Sequence, residues 1–389
     1  MEFTNQFIFL TGLLLCVSIV AGIVSKRTGA PLLLMFLSVG VLFGEDGLGI
    51  VFNDMELSYL VCSFALAVIL FDGGLHTPLS HFRTAVRPAS LLATLGVLFT
   101  TLVIGAGLMF ILDFAPLQAL LFGAIVASTD AAAVFLLLRQ RGVVLPPRIS
   151  HTLEVESGIN DPMAIFLTLA FVQLLLLPEE GSWYVIAGEF VRQVGIGAAV
   201  GYTSGKLITV FFNRIELDAG LYPIFALAAG LFVFGATNLL GGSGFLAAYI
   251  AGLLVGNVEH RGHAVVRQFM DGLAWLAQLG MLLVLGLLVT PRHLVEDIPL
   301  GIIVTLILML VARPLAVFIT LAFEPFSWRE KLFISWVGLR GAIPIYLAII
   351  PVMAGLEGHY FNIAFIVVVF SLLLQGWTIH PMARLLNIR

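Results

Sequence analysis

The sequence predicts an all-α protein that crosses a lipid bilayer many times. Three observations carry that prediction. The chain has 389 residues, 60% hydrophobic and only 11% charged, with a mean hydropathy of +1.09, which is more apolar surface than a soluble fold can bury. Its apolar segments repeat at the length of a membrane span. The charges between them alternate in sign from one connection to the next.

A spanning helix needs roughly 20 apolar residues. On that length the chain divides into about thirteen spans, near 6–24, 30–44, 58–76, 87–112, 116–138, 150–177, 183–211, 219–238, 243–257, 265–289, 298–322, 332–352 and 360–380. The second and ninth are short. The N-terminus does not read as a signal peptide, because Glu2 stands where a basic region would be and the first apolar run leads straight into more of its kind. Cys16 and Cys62 both fall in apolar segments, so small packed side chains are expected and no disulfide framework. Glycine, 39 residues in all, is abundant enough to let membrane helices approach closely or break.

The connections fix an orientation. Lys26, Arg27, Arg83, Arg87, Arg139, Arg141, Arg148, Lys206, Arg214, Arg261, Arg267, Arg329, Lys331, Arg384 and Arg389 all fall on one side. The other side carries Glu45, Asp46, Asp54, Glu56, Asp113, Glu179, Glu180, Glu296, Asp297 and Glu357, with Arg292 as its one cation. The positive-inside rule then places the N-terminus outside and the C-terminus in the cytoplasm, which requires an odd number of spans.

Ionisable residues also lie where hydrocarbon should be. Asp130, Glu156 and Asp161 fall at mid-depth, and so do Arg313 and Arg340. A carboxylate at the centre of a membrane helix costs about 2.5–3.5 kcal/mol on insertion scales, so such a residue is functional by default. Three acids facing two permanent cations leave one negative charge that must hold a proton or a mobile cation. Arg192 has Glu189 one turn earlier and can pair on its own helix. Glu156 with Arg313, and Asp130 or Asp72 with Arg340, are the candidate ion pairs; the sequence does not assign them. Asp72 and Glu154 lie toward the cytoplasmic ends of their spans, where a solvated role suffices.

Within 150–177, Ser157 and Asp161 are four residues apart and share a helix face, while Glu156 and Asn160 share a neighbouring one. Pro162 leaves the Gly158 carbonyl without its intrahelical donor. An alkali cation takes hard oxygen ligands, and Asp161, Ser157 and the backbone near Thr129 can supply them. Ser128 and Ser157, taken singly, read equally as hydroxyls that join helices. Ser128-Thr129-Asp130 is poor in a helix interior and good at a helix start, so Asp130 is expected to cap a second half-helix from Ala131. Gly338-Leu339-Arg340-Gly341-Ala342-Ile343-Pro344 interrupts the twelfth span. Either break alone can be a kink. Together they match if spans one to six and eight to thirteen form two repeats, and such a pair marks a transporter site.

One other pattern is present. Gly241-Gly242-Ser243-Gly244 fits the nucleophile motif of intramembrane serine proteases, but such chemistry needs a base and no later histidine falls at mid-membrane, so a turn is the better reading. The sequence holds no H-E-x-x-H, no Walker loop and no Cys/His metal cluster.

At Ser128-Thr129-Asp130, Glu156-Ser157-Gly158-Ile159-Asn160-Asp161-Pro162 and Gly338-Leu339-Arg340-Gly341-Ala342 the chain resembles the monovalent cation:proton antiporter-1 (sodium/hydrogen exchanger) family. The spelling around these residues looks most like the bacterial potassium/proton antiporter subfamily linked to cell-volume regulation. The resemblance covers nearly the whole chain. It implies a sodium/proton-antiporter fold of about thirteen helices in two inverted repeats, with two broken, crossed helices. It implies one membrane domain made of an interface bundle (about 1–80 and 215–290), a moving core bundle (about 85–180 and 298–389) and a linking helix (about 183–211). It implies Asp161 as the shared proton and cation site with Thr129 and Ser157 as ligands, and Asp130 and Asn160 holding the crossed helices. Glu156, Arg313 and Arg340 complete the expected core network. A homodimer in the bacterial inner membrane is implied, with no cofactor beyond the transported potassium or sodium and protons, and no nucleic-acid partner. That subfamily usually continues into a cytosolic regulatory region, whereas this sequence stops at Arg389; either a longer chain was cut or this member lacks such regulation.

The function expected is electroneutral exchange of one monovalent cation, potassium before sodium, for one proton, with both guests competing for Asp161. The rivals are a cation channel and an intramembrane hydrolase using Ser243.

Overall fold

The computed structural model describes residues 2–140, 142–177, 183–356 and 359–388. The predicted charges Arg141, Glu179, Glu180, Glu357 and Arg389 lie outside them. The described residues form helices and connections, without a strand. The thirteen predicted spans appear as eleven continuous helices and two interrupted ones. These are α1 (Glu2–Thr28), α2 (Leu32–Phe43), α3 (Met55–His76), α4 (Leu79–Leu112), the half-helices α5 (Pro116–Ile125) and α6 (Ala131–Gln140), α7 (Pro147–Leu176), α8 (Trp183–Arg214), α9 (Leu221–Leu239), α10 (Gly244–Gly256), α11 (His263–Leu287), α12 (Pro291–Thr320), the half-helices α13 (Trp328–Trp336) and α14 (Ile343–Met353), and α15 (Tyr360–Leu385).

Local chemistry sets several starts. The Asp54 carboxylate accepts from the Leu57 amide at 2.9 Å and caps α3. Ser243 caps α10, and Ser327 with Glu330 forms a reciprocal capping box on α13. Proline opens α5, α7 and α12, where its missing N–H costs nothing.

Three predicted boundaries move. α4 begins at Leu79 rather than near 87, so Arg83 and Arg87 lie on a helix and not in a loop. α12 begins at Pro291 rather than 298, and α15 runs on to Leu385. The physical reason is the same each time. A length rule counts apolar residues, but a helix continues into the polar margin as long as its backbone bonds are made. Arg87 there pairs with Glu324 at 2.9 Å. Arg292, the one cation among the acidic connections, takes Asp46: its amide meets one carboxylate oxygen at 2.9 Å and its Nε the other at 2.5 Å. That amide bond first, with the guanidinium beside it, holds the Asp46 carboxyl below the usual carboxylate range.

The two halves also share a feature that no pattern in the sequence marks. α4 widens into a π-helical turn at Leu92–Gly96, and α12 does the same at Leu308–Ala312. These are the fourth and eleventh spans, equivalent positions in the two repeats. Such a turn inserts one residue and re-aims the next stretch of helix; in α12 that stretch begins with Arg313.

Packing divides by character. α3, α10 and α11 lie closely together, with α2 against α11 and with α8 and α9 against α10. Here glycine makes the contact: a methyl group on Gly252 would overlap the Phe71 carbonyl oxygen, and one on Gly256 the Leu75 carbonyl oxygen. Backbones that approach so closely gain dispersion contacts where lipid offers no hydrophobic drive. α4, α5, α7, α12, α14 and α15 pack around the two interruptions, and the charges lie there.

Candidate functional site

α5 stops at Ile125 and α6 starts at Ala131; α13 stops at Trp336 and α14 starts at Ile343. The two gaps cross. The Asp130 amide donates to the Leu339 carbonyl at 2.8 Å, a strand-like bond between two half-unwound helices. One Asp130 carboxylate oxygen accepts from the Ala133 amide at 3.1 Å, capping α6 as predicted. Gly341 lies against the other, so close that a methyl group there would overlap it. Asp130 therefore sits beside the positive N-terminal ends of both α6 and α14.

Arg340 sits at the opposite poles. Its Nη1 donates to the Ser128 carbonyl at 2.5 Å, just past the end of α5, and its amide donates to the Ser371 hydroxyl at 3.1 Å. Ser371 donates to Gln375, and Gln375 to the Trp336 carbonyl at the end of α13. Neither candidate partner of Arg340, Asp130 or Asp72, forms an ion pair with it. Asp72 meets His76 at 3.1 Å instead. The Asp130 carboxylate and the Arg340 guanidinium instead face helix ends, through the Ala133 amide and the Ser128 carbonyl, and a count of charged side chains does not include helix ends.

α7 passes alongside the crossing, and four of its residues touch what the sequence suggested or nearly so. Glu156 pairs with Arg313 at 2.7 Å, with both side chains almost fully buried at 1% and 3% exposure. The Asn160 amide donates to the Thr129 hydroxyl at 2.6 Å. The Ser157 hydroxyl donates to the Thr129 carbonyl at 3.1 Å and accepts from the Ala131 amide at 3.3 Å. Asp161, 4% exposed, accepts at Oδ1 from the Ser128 hydroxyl at 2.6 Å. No arginine pairs with it among the described residues. The carbonyl oxygen of the Asn160 side chain is buried without a protein partner among them.

Ser128 is the residue that sequence reasoning undervalued. It read as a helix-joining hydroxyl, and only its place in the same unwound stretch as Thr129 and Asp130 could have marked it. Thr129, expected beside Asp161, has its hydroxyl engaged by Asn160 and its carbonyl by Ser157. Glu154 faces His81 at 3.5 Å near the end of its helix, in keeping with a solvated role. Ser243 sits in the turn between α9 and α10, where its hydroxyl accepts the Leu246 amide as a helix cap.

With an odd number of spans the termini lie on opposite faces, here called the N-face and the C-face. A cavity of about 680 Å³ opens between α3, α7, α8 and α9 on the N-face. Tyr59, Ser63, Phe234 and Phe245 line it, and it reaches down α7 to Pro162, the neighbour of Asp161.

The transmembrane sodium/hydrogen exchanger family matches residues 13–385. The chain belongs to this family. The K(+)/H(+) antiporter NhaP of Alkalimonas amylolytica is 46% identical over 391 residues, covering 100% of this chain and 68% of that one. The K(+)/H(+) antiporter NhaP2 of Shewanella oneidensis is 47% identical, covering 99% and 67%. The Na(+)/H(+) antiporter ApNhaP of Aphanothece halophytica is 28% identical, covering 100% and 75%. In fold, this exchanger-family chain superposes on the sodium proton antiporter MjNhaP1 of Methanocaldococcus jannaschii with a TM-score of 0.86 at 24% identity, over 99% of both chains. The fold is thus that of the sodium/proton antiporters, with about thirteen spans among the described residues, two repeats and two crossed interruptions.

Proposed function

We propose that the chain is a secondary antiporter that exchanges a monovalent cation for a proton, with potassium preferred, and that Asp161 binds both in turn. The observation that carries this reading is the state of Asp161. It is buried at the crossing of two interrupted helices with one hydroxyl as partner, while the nearby Glu156 is consumed by Arg313. A carboxylate so placed must be neutralised by a guest. Competition between two guests for one carboxylate couples their fluxes. Ser128, Ser157, Thr129 and the free Asn160 oxygen supply the hard donors that an alkali cation needs.

Position 160 holds asparagine, so a single exchangeable carboxyl lies here and one charge moves each way. A net charge would feel about 2.3 kcal/mol per 100 mV of membrane potential, whereas an electroneutral cycle does not. Potassium is favoured because relatives named for potassium/proton exchange stand at 46–47% identity, against 28% for one named for sodium. In the proposed cycle α4–α7 and α12–α15 move as a core against α1–α3 and α9–α11, linked by α8, in a homodimer in a bacterial inner membrane with the N-face outside. A secondary transporter of this kind needs no cofactor.

The test is exchange in proteoliposomes across potassium, sodium and lithium gradients. Asp161→Asn should insert normally and exchange none of them, and the wild-type rate should ignore a clamped membrane potential. Exchange surviving in Asp161→Asn removes the reading.

A further inference from the structure

The N-face cavity reaches down α7 as far as Pro162, next to Asp161 in the chain; an exchange site that opens toward that face must be closed toward the C-face. Tyr249, on α10, occupies that position. Its ring lies against Gly158, one helical turn from Asp161 on the C-face side: a methyl group on Gly158 would stand 2.5 Å from the ring edge. Tyr249 is 2% exposed. Beyond it toward the C-face lie Thr77 and Glu154, which its hydroxyl faces, and then the stacked imidazoles of His81 and His151, with ring centroids 3.5 Å apart. The ring thus separates Asp161 from the polar margin of the membrane on that side.

Tyr249 is also anchored on one side of the seam only. Its carbonyl oxygen lies so close to Gly74 of α3 that a methyl group there would overlap it. Three residues on, Gly252 locks α10 onto the Phe71 backbone. The ring therefore belongs to the glycine-packed helices and reaches across to α7, where its seat is a residue without a side chain. Among the described residues no hydrogen bond across the seam holds it at Gly158, so it can leave its seat when α7 slides.

We propose that Tyr249 is the C-face gate: seated on Gly158, it keeps water, protons and cations on that side from Asp161 while the N-face cavity is open. The proposal rests on Asp161 being the exchange site. Tyr249 touches no transported ion, so it is a positioning residue whose loss should damage coupling more than binding.

The test compares proton flux with and without an alkali cation in proteoliposomes under an imposed membrane potential. Tyr249→Ala should leak protons in the absence of any alkali cation, where the wild type carries none, and its flux should become voltage-dependent. Tyr249→Phe keeps the ring and should keep tight coupling, which separates gating from any role of the hydroxyl. Tyr249→Leu repeats the measurement with more of the packing volume kept, should the alanine variant not fold. Tight coupling in Tyr249→Ala or Tyr249→Leu, with Asp161→Asn inactive, overturns the gate and leaves the site standing. Exchange in Asp161→Asn overturns the site itself, whatever Tyr249 does.

Discussion

The α3–α10 pair and the crossing beside α7 are neighbours, joined at Tyr249 and Gly158, yet they are held together by opposite means. Between α3 and α10 the contact is backbone on backbone, made by leaving side chains out at Gly252 and Gly256. At the crossing the backbones are unwound and the contact is made by buried polar groups: Asp130 on amides, Arg340 on a carbonyl, Glu156 on Arg313. The first arrangement has no charge to satisfy and little room to move. The second is a set of interdependent polar bonds in hydrocarbon, where each partner is costly to leave alone. A rigid pair beside a polar, half-unwound crossing suits the proposed exchange, in which one site changes its exposure to the two faces.

The comparison predicts different failures. The largest effect belongs to the glycine contact. Gly252→Val has no space to occupy, because what it meets is the Phe71 main chain and not a side-chain tip. It should abolish folded protein, seen as loss of the monodisperse peak in detergent size-exclusion chromatography. A folded, exchanging Gly252→Val would show that the α3–α10 pair is as adaptable as the crossing and would remove the contrast.

Next in size is the buried ion pair. Arg313→Met leaves Glu156 buried without its partner, and breaking such a pair costs about 3–5 kcal/mol. Arg313→Met with Glu156→Gln removes both charges and should recover much of that loss. Thermal unfolding in one detergent reads all three proteins. If the double variant is as unstable as the single one, the pair is not the cause, and α12 is held at its π-turn by packing alone.

The two regions were also unequally legible. Asp161 stood out because a carboxylate at mid-span has no cheap explanation, and Asp130 because Ser-Thr-Asp is cap chemistry wherever it falls. The Glu156–Arg313 pair stood among the candidates that depth and charge allowed, but the sequence did not assign it. Arg340 did not, because its partner is the carbonyl of Ser128, 212 residues away in the chain, and helix ends carry charge that no residue letter records. Ser128 was hidden by the same gap, since its hydroxyl is ordinary until the crossing brings Asp161 to it. Thirteen spans were readable because bilayer thickness is a fixed ruler; the π-turns at Leu92–Gly96 and Leu308–Ala312 were not, because they obey no composition rule. The glycine contact was readable only as abundance.

The smallest effect tests whether acid weakens the glycine-packed helices independently of the proposed exchange site. His260 lies in the connection between α10 and α11, its ring stacked on Phe212 at 4.5 Å and edge-on to His263 at 5.2 Å. Burial first, and the neighbouring His263 second, push its pKa down from 6.5 to about 4. The folded protein therefore refuses a proton that the unfolded chain accepts between those two values. Since the unfolded state binds more protons in that window, stability falls as pH drops from 6.5 toward 4 and is unaffected by this residue above it. His260→Phe keeps an aromatic ring against Phe212 and removes the titration. Its melting temperature should fall less than that of the wild type between about pH 7 and about pH 5, the upper part of that window, with potassium/proton coupling unchanged at neutral pH. An identical fall in both proteins would place the acid sensitivity outside this connection and remove His260 as its cause.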